Sequence, residues 1–305
     1  MINKLVLIIP TLNGGEKFQE LLASLKEQKM EFHRKIVIDS GSTDDTVMLA
    51  QQFGCEVVSI HADAFNHGLT RQQGVEMVSE AGGVVFLTQD VILADELAMS
   101  HLVACFQDGA VGAAYGRQLP HWGATPLEEY ARLCNYPCGS RSKSLTDAGE
   151  LGIKTAFMSN SFAAYRCSAL AKVGGFPGDT ILGEDMYVAA KMILAGWQVA
   201  YCAEARVYHS HGYSLVEECK RYFDIGVFHS REAWIRVKFG RAEGQGFHYV
   251  ISELKHLWKH HHKLMIPGAL VRTGFKYLGY KLGLAEEKIP VSIKRCLSMN
   301  SRYWK

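Results

Sequence analysis

Five consecutive apolar residues, Leu5-Val-Leu-Ile-Ile9, stand near the start of this chain between Lys4 and Pro10. A run this short is strand-sized, and with no polar face it belongs in a sheet covered on both sides. Pro10 cannot donate to a ladder and reads as the end of the strand. Asn13-Gly-Gly15 then turns the chain into a helical pattern with Phe18, Leu21, Leu22 and Leu25 on one face. The same punctuation repeats: Ile36-Val-Ile38 precedes a Ser/Gly turn and a helix from about Thr43, and Cys55 to Ile60 and Val84 to Leu87 read as the third and fourth strands. Repeated strand–helix units predict an α/β fold with a mostly parallel sheet flanked by helices. Ligands of such sheets sit beyond the carboxyl ends of the strands, so the residues just after each strand are the ones to examine.

From Ser214 onward the pattern becomes helical, which divides the chain into a catalytic body, residues 1–213, and a basic, mainly helical C-terminal region, residues 214–305. The net charge of +2 hides an asymmetry. Residues 231–305 carry 15 Lys/Arg against 5 Asp/Glu, which leaves 18 against 26 for the rest of the 33 basic and 31 acidic residues. A basic tail on an acidic body suits an anionic partner such as a membrane surface, with Trp258, Phe275, Tyr277, Tyr280 and Trp304 as interfacial residues; a solvated helical bundle or a homodimer contact is the alternative. No module or aromatic–basic platform for nucleic acid is present. No apolar run approaches the roughly 20 residues of a membrane-spanning helix, and the N-terminus lacks the basic segment and cleavage site of a signal peptide. The expectation is a cytoplasmic protein, peripheral at the inner face of the plasma membrane. The eight cysteines form no paired metal motif and read as reduced thiols.

Several strand ends carry chemistry-bearing residues. Asp39-Ser-Gly-Ser-Thr-Asp44 follows the second strand; Asp39 can accept hydrogen bonds from a base or a ribose, and Ser42 with Asp45 reads as a capping box. Thr88-Gln89-Asp90 follows the fourth strand, and a carboxylate there suits Mg²⁺ or Mn²⁺. Asn66-His-Gly68 with Arg71 resembles a phosphate-contacting loop. Glu184-Asp185 opens a helix; neighbouring helical residues point about 100° apart, so one of the two faces a pocket as a single general base, and the other reading is plain capping by the helix dipole. His209 and His211 alternate, lie on one side if extended, and are able to complete a metal shell or meet a phosphate.

The order Pro10-Thr-Leu-Asn13, Asp39 to Asp44, Thr88-Gln89-Asp90 and Gly183-Glu-Asp185 resembles glycosyltransferase family 2, with its GT-A fold, over about residues 4–230. Phe65-Asn-His-Gly68 and the Thr-Gln-Asp segment are similar to the rhamnosyltransferase branch. The resemblance implies an inverting transfer of rhamnose from dTDP-rhamnose to a hydroxyl of a glycan acceptor, commonly polyprenyl-diphosphate-linked, in bacterial surface polysaccharide synthesis. Pro10, Thr11, Asn13, Asp39, Arg71 and Gln89 would bind the donor nucleotide. Asp90 would hold the metal with His209 and His211. Asp185, with Glu184, would be the catalytic base, and Asn160, Ser161 and Arg166 would shape the sugar and acceptor site. Thr88 stands where the family's metal motif has its first acid, leaving one carboxylate. A UDP-hexose transferase and a nucleotide-binding scaffold with decayed catalysis are the alternatives.

Overall fold

Along the chain the elements are β1 (Leu5–Thr11), α1 (Gly15–Lys26), β2 (Arg34–Asp39), α2 (Thr46–Gln52), β3 (Glu56–Ser59), α3 (His67–Glu76), β4 (Gly83–Leu87), β5 (Ile92–Leu93) and α4 (Ala98–Ala104). The middle holds β6 (Val111–Leu119), α5 (Pro126–Asn135), β7 (Arg141–Lys143), α6 (Ala148–Leu151), β8 (Phe162–Arg166), α7 (Cys167–Lys172), α8 (Glu184–Leu194) and β9 (Gln198–Tyr208). The rest is helical: α9 (Leu215–Arg231), α10 (Ala233–Phe239), α11 (Ala242–Lys259), α12 (Ile266–Leu284) and α13 (Val291–Leu297). This computed structural model describes residues 2–240 and 242–304.

The strands form one nine-stranded sheet ordered β3-β2-β1-β4-β8-β6-β9-β5, with β7 on β9. β1 to β4 run parallel, β8 enters antiparallel between β4 and β6, and β6 and β9 resume the first direction. The carboxyl ends of β1, β2, β4, β6 and β9 therefore share one edge with the start of β8. Period-two alternation divides the sheet's side chains between two cores. Val6, Ile8, Ile36, Ile38, Val84 and Phe86 enter one, while Leu7, Ile9, Val37 and Val85 enter the other against Phe18, Leu21, Leu22 and Leu25 of α1. Each such side chain contributes roughly 1.5–3 kcal/mol on burial.

Pro10 does not end β1, as its sequence suggests; the strand continues through it to Thr11. Pairing with β4 stops at Ile8, whereas pairing with β2 runs on to Thr11. Thr11 O accepts from Ser40 N on the β2 side (3.0 Å), so Pro10 faces the side where the ladder has already ended and needs no donor.

The C-terminal helices are fused to this body rather than appended to it. Ser214 caps α9 in a capping box with Glu217, and Phe223, Val227, Phe228, Ile235, Phe239 and Trp304 all enter the first core. α9 and α12 cross closely at glycines: a Cβ on Gly279 would lie 2.1 Å from Cys219 O, and one on Gly226 2.4 Å from Tyr280 O. Tyr280 and Trp304 are buried, contrary to their expected place at a membrane interface. Among the described residues, no helix is long and apolar enough to cross a membrane.

Candidate active site

The loops closing β1, β2 and β4 are built from the polar residues that the sequence singles out. Asp39 is buried and fully engaged: it accepts from Thr11 Oγ1 (3.3 Å), from the backbone N–H of Gly41 and Ser42 (3.0 Å each), and from Ser42 Oγ. Asn13, at φ +46, accepts the Thr43 N–H on its side chain (2.8 Å) and donates its own N–H to Ser42 Oγ (2.8 Å). Ser42 is thus a loop brace and not part of a helix cap; α2 starts later, at Thr46, behind Asp45 with no side-chain cap. Gln89 prolongs the β1–β4 ladder past Pro10. Its Oε1 accepts from Leu12 N (2.8 Å) and its Nε2 donates to Leu12 O (3.0 Å).

Asp90, which follows Gln89 directly, meets His209 and His211. Its Oδ2 lies 3.4 Å from His209 Nε2 and 3.6 Å from His211 Nε2. One ligand atom from each of the three lies within 4.8 Å of the others, the only such cluster among the described residues. Burial opposes the Asp90 charge, but the two imidazoles outweigh it and hold the carboxyl well below its ordinary range. Burial, reinforced by His209, pushes His211 down to about 3, so its ring is neutral and able to ligate. Gln118 on β6 orients His209. Its Nε2 donates to Ser159 Oγ (2.9 Å), which leaves Oε1 to accept from Arg132 (2.6 Å) and to face His209 Nδ1 (3.0 Å). Gln118 Oε1 can only accept, so His209 Nδ1 is the donor in this contact, and Nε2 is the ring nitrogen that faces Asp90. One carboxylate and two imidazoles at this spacing fit a divalent cation of borderline character.

Glu184 and Asp185 open α8 after Gly183, which takes φ +77 and packs where a Cβ would lie 3.0 Å from the Phe228 ring. The two carboxylates face different surroundings. Glu184 is buried, pairs with Arg71 Nη1 (3.0 Å) and accepts from Asn160 Nδ2 (2.9 Å). Burial works against its charge, but Arg71 first, then His67 and Asn160, keep its pKa below the ordinary value. Asp185 is half-buried and, among the described residues, accepts only backbone N–H groups, from Met186 (2.7 Å) and Asn160 (3.2 Å). Burial and the adjacent Glu184 charge raise its pKa to about 7. The two centres belong to one wall. Gln118, which orients His209, donates to Ser159, and the next residue donates its N–H to Asp185.

Three expected placements are corrected. Arg71 does not reach into a nucleotide pocket; it is buried on Glu184 and also donates to His67 O (2.9 Å). The Asn66–Gly68 loop is no open phosphate cradle: Asn66 caps α3 and ties to Thr180 O (2.9 Å), while Gly68 lies under Pro177. Arg166 sits at the far end of β8, opposite Gly83, and donates to the carbonyls of Val111 (3.1 Å) and Phe106 (3.2 Å). It is on the edge remote from Asp185, whereas Asn160 and Ser161 are at the site, Ser161 O accepting from Thr88 N (3.3 Å). The sequence does not single out Gln118, Arg132 or Arg221. Arg221 on α9 lies 5.5 Å over the Tyr213 ring, and its charge is felt by His67 and His211. No local pattern marks them, because their partners are distant in the chain.

The model of glycosyl transferase family 2 matches residues 6–174, and that of glycosyl transferase family group 2 matches residues 140–223. The chain is 50% identical over 302 residues to O-antigen chain rhamnosyltransferase RfbN of Salmonella typhimurium, covering 99% of this chain and 96% of the relative. O-antigen chain rhamnosyltransferase WbaN of Salmonella anatum is 46% identical over 299 residues, covering 98% and 95%. Among solved structures, mannosyltransferase PcManGT from Pyrobaculum calidifontis, in complex with GDP-Man and Mn²⁺, superposes with a TM-score of 0.60 at 16% identity, covering 99% of this chain and 84% of that one. S. aureus TarS 1-349 gives 0.54 at 15% identity, covering 93% and 91%. At such identities the likeness is one of fold.

Proposed function

Because this chain belongs to glycosyl transferase family 2, we propose that it moves rhamnose from dTDP-rhamnose onto a hydroxyl of a lipid-linked glycan, inverting the anomeric centre, in surface polysaccharide synthesis. The full-length likeness to two O-antigen rhamnosyltransferases supports the sugar. The chemistry rests on one observation: a half-buried Asp185 of raised pKa, with no side-chain ion pair among the described residues, beside a Glu184 whose charge is consumed by Arg71.

Asp185 takes the acceptor hydroxyl proton as that oxygen attacks the anomeric carbon. The bond from that carbon to the donor's phosphate oxygen breaks with its electron pair on the departing dTDP. A carboxylate with proton affinity near neutrality accepts the proton without being locked as a permanent anion. Glu184 and Arg71 hold the first turn of α8, and Asn160 fixes both carboxylates from the turn before β8. Asp90, His209 and His211 would hold a divalent cation, whose chemistry when bound is to neutralise the leaving diphosphate. Two imidazoles beside one carboxylate favour Mn²⁺ over Mg²⁺. Arg221 adds a cation at the same rim, and Asp39, Thr11, Pro10 and Asn13 shape the pocket for the nucleotide.

Thermal stability against dTDP, UDP and GDP, with and without Mn²⁺, tests this. A ligand at 100 times its Kd adds about 2.7 kcal/mol to the folded state. Stabilisation by dTDP above UDP and GDP, deepened by Mn²⁺, is expected. Preference for UDP would discard rhamnose, and no response to any nucleotide would discard the transferase.

A further inference from the structure

The outer side of the last two long helices is poorly suited to water. α12 contains no acidic residue. Its packed side is narrow, with Ala269, Gly279, Tyr280 and Gly283 buried, and Arg272 and Lys276 turn inward onto Glu218 (3.0 and 3.4 Å). Leu270, Val271 and Leu278 on the other side are about half exposed. On α11, Phe247, Ile251 and Trp258 are spaced four and seven residues apart, which places them on one exposed stripe. Between the helices the chain makes a Schellman-type turn: His262 N–H reaches Leu257 O (2.9 Å), and His261 takes φ +64, a position usually left to glycine. The next turn, closed by Met265 N–H on His262 O (2.9 Å), leaves Leu264 98% exposed at the tip. Lys255, Lys259, Lys263 and His260 to His262 are exposed around it, and Lys263 Nζ lies 4.1 Å from the Trp258 ring centroid.

A bare leucine and a tryptophan within a collar of lysines suit the boundary between lipid headgroups and acyl chains. Charge selects the occupant. A second copy of this chain would set one basic surface against another, whereas an anionic leaflet complements it. The hairpin also stands behind the active-site wall. Tyr130 of α5 donates to Ser252 of α11 (2.6 Å), and two residues further along α5 Arg132 reaches Gln118. Arg272 of α12 holds Tyr213 O (2.8 Å), two residues beyond His211.

We propose that the α11–α12 hairpin docks this enzyme on an anionic lipid bilayer, with Leu264 and Trp258 entering the headgroup layer and Lys255, Lys259 and Lys263 meeting lipid phosphates. This rests on the reading of a lipid-linked acceptor and gives it a place on the molecule. Flotation of the full chain with vesicles of phosphatidylethanolamine and phosphatidylglycerol, against phosphatidylcholine alone, tests it. The wild type is expected to float with the anionic vesicles only. The double variant Trp258→Ser, Leu264→Ser should bind about tenfold or more weakly, and Lys259→Gln about fivefold, with melting temperature and response to dTDP unchanged. A wild type that stays with the unbound fraction, or a double variant that floats equally well, overturns the proposal. So does a double variant that turns a dimer into a monomer without changing flotation. A retained dTDP response in any of these outcomes leaves the transferase reading standing, and its loss in the wild type removes that reading separately.

Discussion

The loops at the ends of β1, β2 and β4 and the wall facing them, from Asn160 to His211, treat their polar atoms in opposite ways. In the loops three polar side chains are spent on shape: Asp39 on Thr11, Gly41 and Ser42, Asn13 on Thr43, and Gln89 on Leu12. Along the wall, charge is set against charge: Glu184 on Arg71, Asp185 beside Glu184, and His209 and His211 against Asp90, which the β4 loop brings to them. Satisfied hydrogen bonds rigidify, while opposed or desolvated charges shift proton affinity. On the proposed mechanism, the first region would hold the donor in a pocket of fixed form, and the second the groups whose protonation the reaction uses.

Substitutions on either side should separate the two. The largest stability effect is expected at Arg71→Met, which leaves the buried Glu184 without its cation; loss of about 3–5 kcal/mol in denaturant unfolding is the expectation. Gln118→Ala frees His209 from its orienting acceptor and should weaken Mn²⁺ affinity about 10- to 100-fold by calorimetry, with stability less affected. Gln89→Ala, in the loop region, should cost about 1 kcal/mol and raise the donor KM while leaving the pH dependence of kcat in place. A change in that pH dependence would erase the distinction between the two regions.

The pH profile reports on the wall alone. Asp185 must be an anion to accept a proton, so kcat should fall as pH drops through its raised pKa of about 7. Glu184→Gln removes the neighbouring negative charge, which should move this acid limb to lower pH. A limb that does not move would show that Glu184 has no part in setting it.

Much of this arrangement was legible in the residues themselves. The unbroken Leu5–Ile9 run and the Asp-bearing strand ends locate the sheet and the edge that carries the candidate site, and the alternate spacing of His209 and His211 puts both on one side, where the fold sets them beside Asp90. The 100° step between helical neighbours separates the fates of Glu184 and Asp185. Other features depend on pairings that no local pattern encodes. Arg166 lies only six residues from Asn160, yet an extended strand advances about 3.3 Å per residue and delivers it to the opposite edge. Arg71 has the composition of a surface phosphate ligand but is buried by the distant α8. Gln118 lies in a strand between residues of no special pattern, and Tyr280 and Trp304 resemble interface anchors until the α9–α12 crossing and the first core enclose them.

The decisive experiment is turnover of dTDP-rhamnose by Asp185→Asn beside the wild type, with Mn²⁺ present and dTDP affinity measured on both. Asp185 is destabilising as an anion: with its pKa raised, the stability it contributes is present in acid and lost as pH rises through about 7. The variant should therefore melt no lower than wild type at pH 8, which excludes unfolding as the cause of any lost rate. The expected result is a kcat lower by about 10²- to 10⁴-fold with dTDP affinity retained. A variant that turns over at near the wild-type rate would contradict the assignment of Asp185 as the base and, with it, this account of the active site.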